Sequence, residues 1–185
     1  MDYRVLLPLL LGAYWFAWLY PFLFRAPHNQ RRESITVVGP TRVGLLLESF
    51  AIFLAMVWHL PSPPGEARIA LAVVFGTIGL VLAWTSVRHL GRQFRVHAGL
   101  YVDHRLVKTG PYGVVRHPIY AGLLAALLCC QMLLTPWPWI AVSLVIYFIG
   151  TEIRVRTEDK LLASRFGDEF EAYRRAVPAY IPFVR

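Results

Sequence analysis

Residues 5 to 24 read VLLPLLLGAYWFAWLYPFLF, without one charged side chain, and this stretch decides the fold. A helix rising about 1.5 Å per residue needs about 20 apolar residues to cross a hydrocarbon core about 30 Å thick. The run has that length. Working outward, Val43 to Leu60 is a second apolar run holding one acid, Glu48, and Ile69 to Val87 is a third holding none. Ile119 to Gly150 is long enough for two spans and is broken by Thr135-Pro136-Trp137-Pro138, where prolines suit a tight turn between antiparallel helices. The expectation is an all-α polytopic membrane bundle of about five transmembrane helices. It forms a single integral membrane domain over 1–185 and ends in a helical segment on the cytoplasmic side.

Composition agrees: hydrophobic residues make up 57% and charged ones 16%, against about 45–50% and about 25% in soluble domains. All 19 Lys and Arg residues except Arg4 and Arg68 fall in 25–42, in 88–117 or from 154 onward. In a five-span bundle these segments share one side. The positive-inside rule then puts the N-terminus outside and the C-terminus in the cytoplasm. A net charge of +8 suits a face meeting anionic lipid and calls for no nucleic acid. The first segment reads as a span rather than a removable leader, because its apolar stretch is long and no small-residue cleavage site follows. Cys129 and Cys130 are adjacent within a span, and successive helical residues do not share a face. They read as small packing residues, and no metal site is expected.

The spans differ in what they carry. Residues 5–60 supply two peripheral helices, with Trp15, Trp18, Tyr20 and Trp58 read as interfacial aromatics. Glu48 is a functional suspect because acids at membrane depth are costly, although pairing with a basic residue is the simpler reading. Residues 69–185 hold the polar features. The loop 88–118 is too long for a plain connector. The fifth helix meets no breaker before Gly167 and so continues past the membrane through Glu152, Arg154, Arg156, Glu158 and Asp159. A short amphipathic helix then covers 168–175, and an apolar, proline-bearing ending packs back on the protein.

The loop closes with Leu106-Val107-Lys108-Thr109-Gly110-Pro111-Tyr112-Gly113-Val114-Val115-Arg116-His117-Pro118-Ile119-Tyr120. Gly110-Pro111 makes a turn, and Pro118 suits the first turn of a helix. Helix N-termini attract anions. Arg116 and His117 flank this one and Tyr120 lies one turn in, so together they form a pocket for a small carboxylate or phosphate. The set Gly110-Pro111-Tyr112 followed by Arg116-His117-Pro118-Ile119-Tyr120-Ala121-Gly122 resembles the signature of the isoprenylcysteine carboxyl methyltransferase family. The tail is similar to that family's ending in Arg156-Thr157-Glu158-Asp159, Phe166-Gly167, Tyr173, Val177-Pro178 and Ile181-Pro182-Phe183. The resemblance runs from about Leu90 to Phe183.

It implies an integral membrane methyltransferase using S-adenosyl-L-methionine, held by the third to fifth helices and the C-terminal segment. By position, His117 and Tyr120 match the pair that holds the cofactor's carboxylate, with Arg116 beside them. Leu106, Val107, Gly110 and Tyr112 match the adenosine side, and Glu158 matches an acid that binds the cofactor's polar groups. Asp159 stands where the family has a second Glu and is expected to bind the cofactor beside Glu158, which is also carried over as catalytic together with Arg154 and Arg156. Arg154 or Arg156 can pair bidentately with an acceptor carboxylate, each having also a plain role as a surface charge or an i,i+4 partner. The acceptor is expected to be lipophilic, in first place the carboxylate of an isoprenylcysteine-like substrate. A phospholipid amine and a small thiol remain alternatives, a membrane reductase using NADPH and a scaffold without catalysis are rivals of another class, and oligomeric state is not legible.

Overall fold

A computed structural model of the protein describes residues 3–25, 34–36, 39–94, 99–101 and 104–182. Arg31, Arg32, Arg95, Arg185 and Phe183, used above in the charge and motif readings, lie outside these. The fold is an all-α membrane bundle with one short strand pair. Helix α1 covers Tyr3–Tyr20 and runs into a π-turn at Pro21–Arg25; α2 is Gly39–Val57 and α3 Glu66–Leu90. Helix α4 is Pro118–Leu134, α5 Trp137–Phe166 and α6 Asp168–Ala176. Strand β1, Ser34–Thr36, pairs antiparallel with β2, Gly99–Tyr101, which ties the loop after α1 to the loop after α3 at one end of the bundle.

Among the described residues, four helices are long and apolar enough to cross a membrane: α1 with its π-turn, α2, α3 and α5. The expected fourth span is shorter, at 17 residues. Helix α4 starts late, at Pro118, and the Thr135-Pro136 break ends it early. It is also the best-buried helix, with Ala126, Leu127, Cys130 and Gln131 at 0% exposure, so protein rather than lipid surrounds much of it. Helix α5 runs unbroken for 30 residues to Gly167, whose φ of 50° ends it. As expected, the chain after it returns: the backbone N–H groups of Arg116 and His117 donate to the carbonyls of Pro178 and Ala179, each at 2.8 Å.

Membrane helices gain little from burying apolar surface against one another, so they associate through close backbone approach and internal hydrogen bonds. Both occur here. A Cβ on Gly79 of α3 would lie 3.1 Å from the carbonyl oxygen of Gly122 of α4. Across the bundle, a Cβ on Gly150 of α5 would lie 2.8 Å from the carbonyl oxygen of Gly44 of α2. Gln131 donates to the Ser143 hydroxyl and Ser143 to the Ala51 carbonyl, each at 2.9 Å, joining α4, α5 and α2. Arg68 caps the far end of α4, donating to the carbonyls of Gln131, Met132 and Thr135, where the helix dipole favours a cation.

Helix α1 is held differently. Pro21 has no N–H to give the Ala17 carbonyl one turn back, and the indole of Trp84 in α3 donates to that oxygen at 3.0 Å. Tyr20 stacks on Trp84 with ring centroids 5.5 Å apart. The π-turn leaves Phe22 and Leu23 against an internal cavity. Trp15 and Trp18, expected at the interface, also face that cavity, and Trp18 is buried. At i, i+3 and i+7 they share one helix face with Phe22, whose ring packs on Trp18 with a centroid separation of 4.8 Å.

Candidate active site

The cavity has a volume of about 510 Å³, within the range of small-molecule sites. One end is polar, formed by Arg116, His117, Tyr120, Arg154 and Glu158. The other is an apolar arm between α1, α2 and α4, walled by Trp15, Trp18, Phe22, Ile52 and Leu123. Leu106, Val107 and Tyr112 of the long loop form a third side. Gly110, Arg156 and Asp159 do not line it.

The polar end is built by three segments meeting. His117 is the N-cap of α4, at φ −124° and ψ 64°, and Tyr120 follows one turn in. Helix α5, running on past the apolar region, delivers Glu158 and Asp159. The His117 ring lies between them, with Nδ1 3.2 Å from Glu158 Oε2 and Nε2 2.9 Å from Asp159 Oδ1. Tyr120 donates its hydroxyl hydrogen to Glu158 Oε1. Arg116 donates to Asp159 Oδ2 at 2.8 Å and to the Val177 carbonyl at 2.5 Å, locking the C-terminal segment over the site. Tyr173 of α6 donates to the Tyr112 carbonyl at 2.6 Å.

These contacts modify the simple anion pocket. The His117 and Tyr120 donors already face carboxylates of α5. Burial alone would lower the His117 pKa, but hydrogen bonds and charges from Asp159 and Glu158 outweigh it and raise the value to about 9. At neutral pH the imidazole is therefore a cation that balances the two acids. Glu158 is the most open member, its side chain 26% exposed against 5% for His117. It can still accept from a ligand. Arg116 Nε is buried with no hydrogen-bond partner among the described residues. The set offers both an acceptor and a donor, as a zwitterionic amino-acid group requires.

The two candidate arginines part company. Arg154 is buried, on the cavity wall, its Nη1 2.6 Å from Glu48 Oε2 and its guanidinium carbon 4.8 Å from the Tyr120 ring centroid. The Arg156 side chain is 73% exposed and pairs with Glu152 at 2.8 Å, one turn back on the same helix. Gly110, with φ 61°, starts a 3₁₀ turn through Gly113 that carries Tyr112 inward.

Residues 69–164 match the model of the isoprenylcysteine carboxyl methyltransferase family. The Probable protein-S-isoprenylcysteine O-methyltransferase of Oryza sativa subsp. indica is 33% identical over 173 residues, covering 88% of this chain and 87% of that protein. The chain belongs to the isoprenylcysteine carboxyl methyltransferase family. A second relative, the Protein-S-isoprenylcysteine O-methyltransferase of Schizosaccharomyces pombe, is 36% identical over 116 residues. That match covers 61% of this chain and spans about half of the relative's length, 49%. The Cobalt-zinc-cadmium resistance protein CzcN of Cupriavidus metallidurans is 32% identical over 116 residues, covering 60% of this chain and 50% of that protein.

The family stretch contains the motif residues of the long loop, α4 and the acids of α5. It leaves out α1 and α2. Sequence reasoning missed the apolar arm for the same reason: Trp15, Trp18, Phe22 and Ile52 look like any lipid-facing residues. The signal available was Pro21, which disrupts α1 where the aromatics cluster.

Proposed function

We propose that the chain is a membrane methyltransferase that takes its methyl group from S-adenosyl-L-methionine and gives it to the carboxylate of an S-prenylated cysteine. The observation that carries this reading is one cavity with two characters, a charged end made by the family motif and an apolar arm opening between α1, α2 and α4. A water-soluble donor suits the first and a lipid-like acceptor the second. S-adenosyl-L-methionine, when bound, supplies a sulfonium methyl; the acceptor oxygen forms the new bond to carbon while the C–S pair stays on sulfur.

Glu158, held by His117 and Tyr120, accepts from the donor's ammonium, and Arg116 Nε donates to the donor's carboxylate. Leu106, Val107, Gly110 and Tyr112 shape the adenosine side. Asp159 acts through Arg116 and His117, fixing both. Arg154 meets the acceptor carboxylate where the charged end joins the apolar arm, a guanidinium having five N–H donors to share between Glu48 and a second anion. Arg156 keeps the surface role. A carboxylate acceptor needs no base, so the chain works by alignment, water exclusion and fixed charge. That favours it over an amine acceptor, which must first lose a proton, since His117 is itself held protonated up to about 9. The charged end faces the cytoplasm, with α1 and α2 as acceptor-binding helices rather than bystanders.

The test uses protein in nanodiscs and labelled donor with four acceptors: an N-acyl S-prenyl cysteine, its methyl ester, a phosphatidylethanolamine and a lipophilic thiol. Transfer to the free carboxylate alone is expected. Transfer to the amine or thiol instead refutes the acceptor, and binding of NADPH rather than S-adenosylhomocysteine in calorimetry refutes the chemistry.

A further inference from the structure

Glu48 lies in α2, outside the residues 69–164 that the family model matches, and is 1% exposed at membrane depth on the cavity wall. Both its oxygens are engaged. Oε2 accepts from Arg154 Nη1 at 2.6 Å, and Oε1 accepts from the Thr151 hydroxyl at 2.9 Å. Two directed contacts leave the carboxylate a single arrangement. Its partner is fixed from the other side too, because the Arg154 guanidinium sits 4.8 Å from the centroid of the Tyr120 ring. Tyr120 is itself pinned, its hydroxyl donating to Glu158 and its carbonyl accepting from Tyr147 at 2.6 Å. A chain of contacts thus runs from α2 through Arg154 and Tyr120 to the acid at the charged end.

The helix crossing is shaped around this pair. Gly44 lies one turn before Glu48, and Gly150 one turn before Arg154. A Cβ on Gly44 would come within 2.4 Å of Arg154 Cγ and 2.7 Å of the Gly150 carbonyl oxygen. Only glycine at 44 lets the arginine stem lie across α2 and bring its head to Glu48. A buried ion pair is a poor way to gain stability, since apolar residues of similar volume commonly do as well or better. A pair at this depth, built on glycines and opening on a cavity, serves the site more than the packing.

We propose that Glu48 is a positioning residue for the transfer: it orients Arg154 so that the guanidinium receives the acceptor carboxylate in line with the methyl group. The inference rests on the acceptor role proposed for Arg154. Without Glu48, Arg154 still attracts an anion and keeps its contact with Tyr120, but it loses the bond that aims Nη1, so the acceptor is held in more geometries, most of them unproductive. The loss therefore falls on turnover and not on binding of either substrate.

The experiment compares wild type, Glu48→Gln, Glu48→Asp and Thr151→Val in nanodiscs. It measures S-adenosylhomocysteine binding by calorimetry, and kcat and KM with an N-acyl S-prenyl cysteine. For Glu48→Gln the expected result is an S-adenosylhomocysteine Kd within threefold of wild type, an acceptor KM no higher than wild type, and kcat lowered at least tenfold. Glu48→Asp should recover part of that loss. If Glu48→Gln does not fold, Thr151→Val decides, because it frees the carboxylate while keeping its charge; kcat should fall at least threefold with KM unchanged. Unchanged kcat in the folded variants overturns the proposal, as does a fall in kcat matched by equal loss of S-adenosylhomocysteine binding, which marks a purely structural acid. A wild-type protein that methylates amines or thiols but no carboxylate overturns the Arg154 reading and the positioning role with it.

Discussion

Replacing Glu158 with Gln keeps the shape of the site and removes one charge. In the structure this carboxylate contacts His117 Nδ1 at 3.2 Å, takes the Tyr120 hydroxyl, and keeps the largest open fraction of the cluster, 26%. Two effects follow. On the proposed role of Glu158, the donor's ammonium loses its charged acceptor, and a hydrogen bond to a charged group is worth about 1.5–3 kcal/mol. At 1.4 kcal/mol per factor of ten, S-adenosylhomocysteine should bind about 10- to 100-fold more weakly. His117 also loses one of the two acids that hold its pKa at about 9. A histidine whose folded pKa is raised above its usual value, about 6.5, contributes fully below that value and loses its contribution as pH rises through the folded pKa. Wild-type thermal stability should therefore decline as pH rises from about 6.5 through 9, and binding should weaken as His117 gives up its proton through about 9. In Glu158→Gln the decline should start at lower pH. Calorimetric titration from pH 6 to 10, with thermal unfolding in parallel, reads both. Affinity within threefold of wild type in a folded variant, or a pH profile that does not move, refutes the assignment.

Three further outcomes are expected. Arg156→Ala should keep activity within twofold in the methyl-transfer assay, because its exposed i,i+4 pair is worth about 0.3–0.5 kcal/mol, whereas Arg154→Ala should lose at least a hundredfold in kcat/KM. Gly110→Ala should lower thermal stability by about 1–2 kcal/mol from its left-handed backbone alone, with more from a Cβ placed 2.2 Å from His89 Nε2; unfolding midpoints in detergent check this, and His89→Ala in the same chain should recover the second part only. Trp18→Ala should enlarge the apolar arm and raise kcat/KM for longer prenyl chains relative to shorter ones, read in competition between acceptors of two lengths.

The charged half of the site was legible in the sequence because its residues are close together along the chain. Arg116, His117 and Tyr120 span one helix start, where N-cap geometry brings them together whatever the rest of the bundle does. Glu158 and Asp159 lie on one helix without a breaker, and only the return of that helix over the α4 start was needed to join the sets. The charge of the cluster was not legible. A helix N-terminus with Arg and His reads as an anion pocket, yet two acids from α5 occupy those donors and turn the imidazole into a structural cation. Sequence proximity gave the residues, and tertiary pairing set what they are able to bind.

The apolar half was hidden for a different reason. In a soluble protein a run of aromatics must be buried somewhere, so its burial is informative. In a membrane helix an inward Trp18 and an outward Phe16 satisfy the same solvent preference, and periodicity separates them poorly. A charged residue carries more information there, because lipid does not tolerate it. Glu48 was the only acid in the first two spans, and its cost at that depth required a partner. The partner turned out to be Arg154, placed about a hundred residues on in the sequence and one turn before Glu158 on the same helix. That pairing makes α2 part of the cavity wall instead of a spectator, and it joins a helix before the family model's stretch to the charged cluster within it. A chain in which Glu48 and Arg154 exchanged positions would keep the ion pair but remove the guanidinium from Tyr120 and from the place proposed for the acceptor carboxylate. Such an exchange should fold and fail to turn over, whereas an exchange that retained activity would mean that the pair serves the bundle alone.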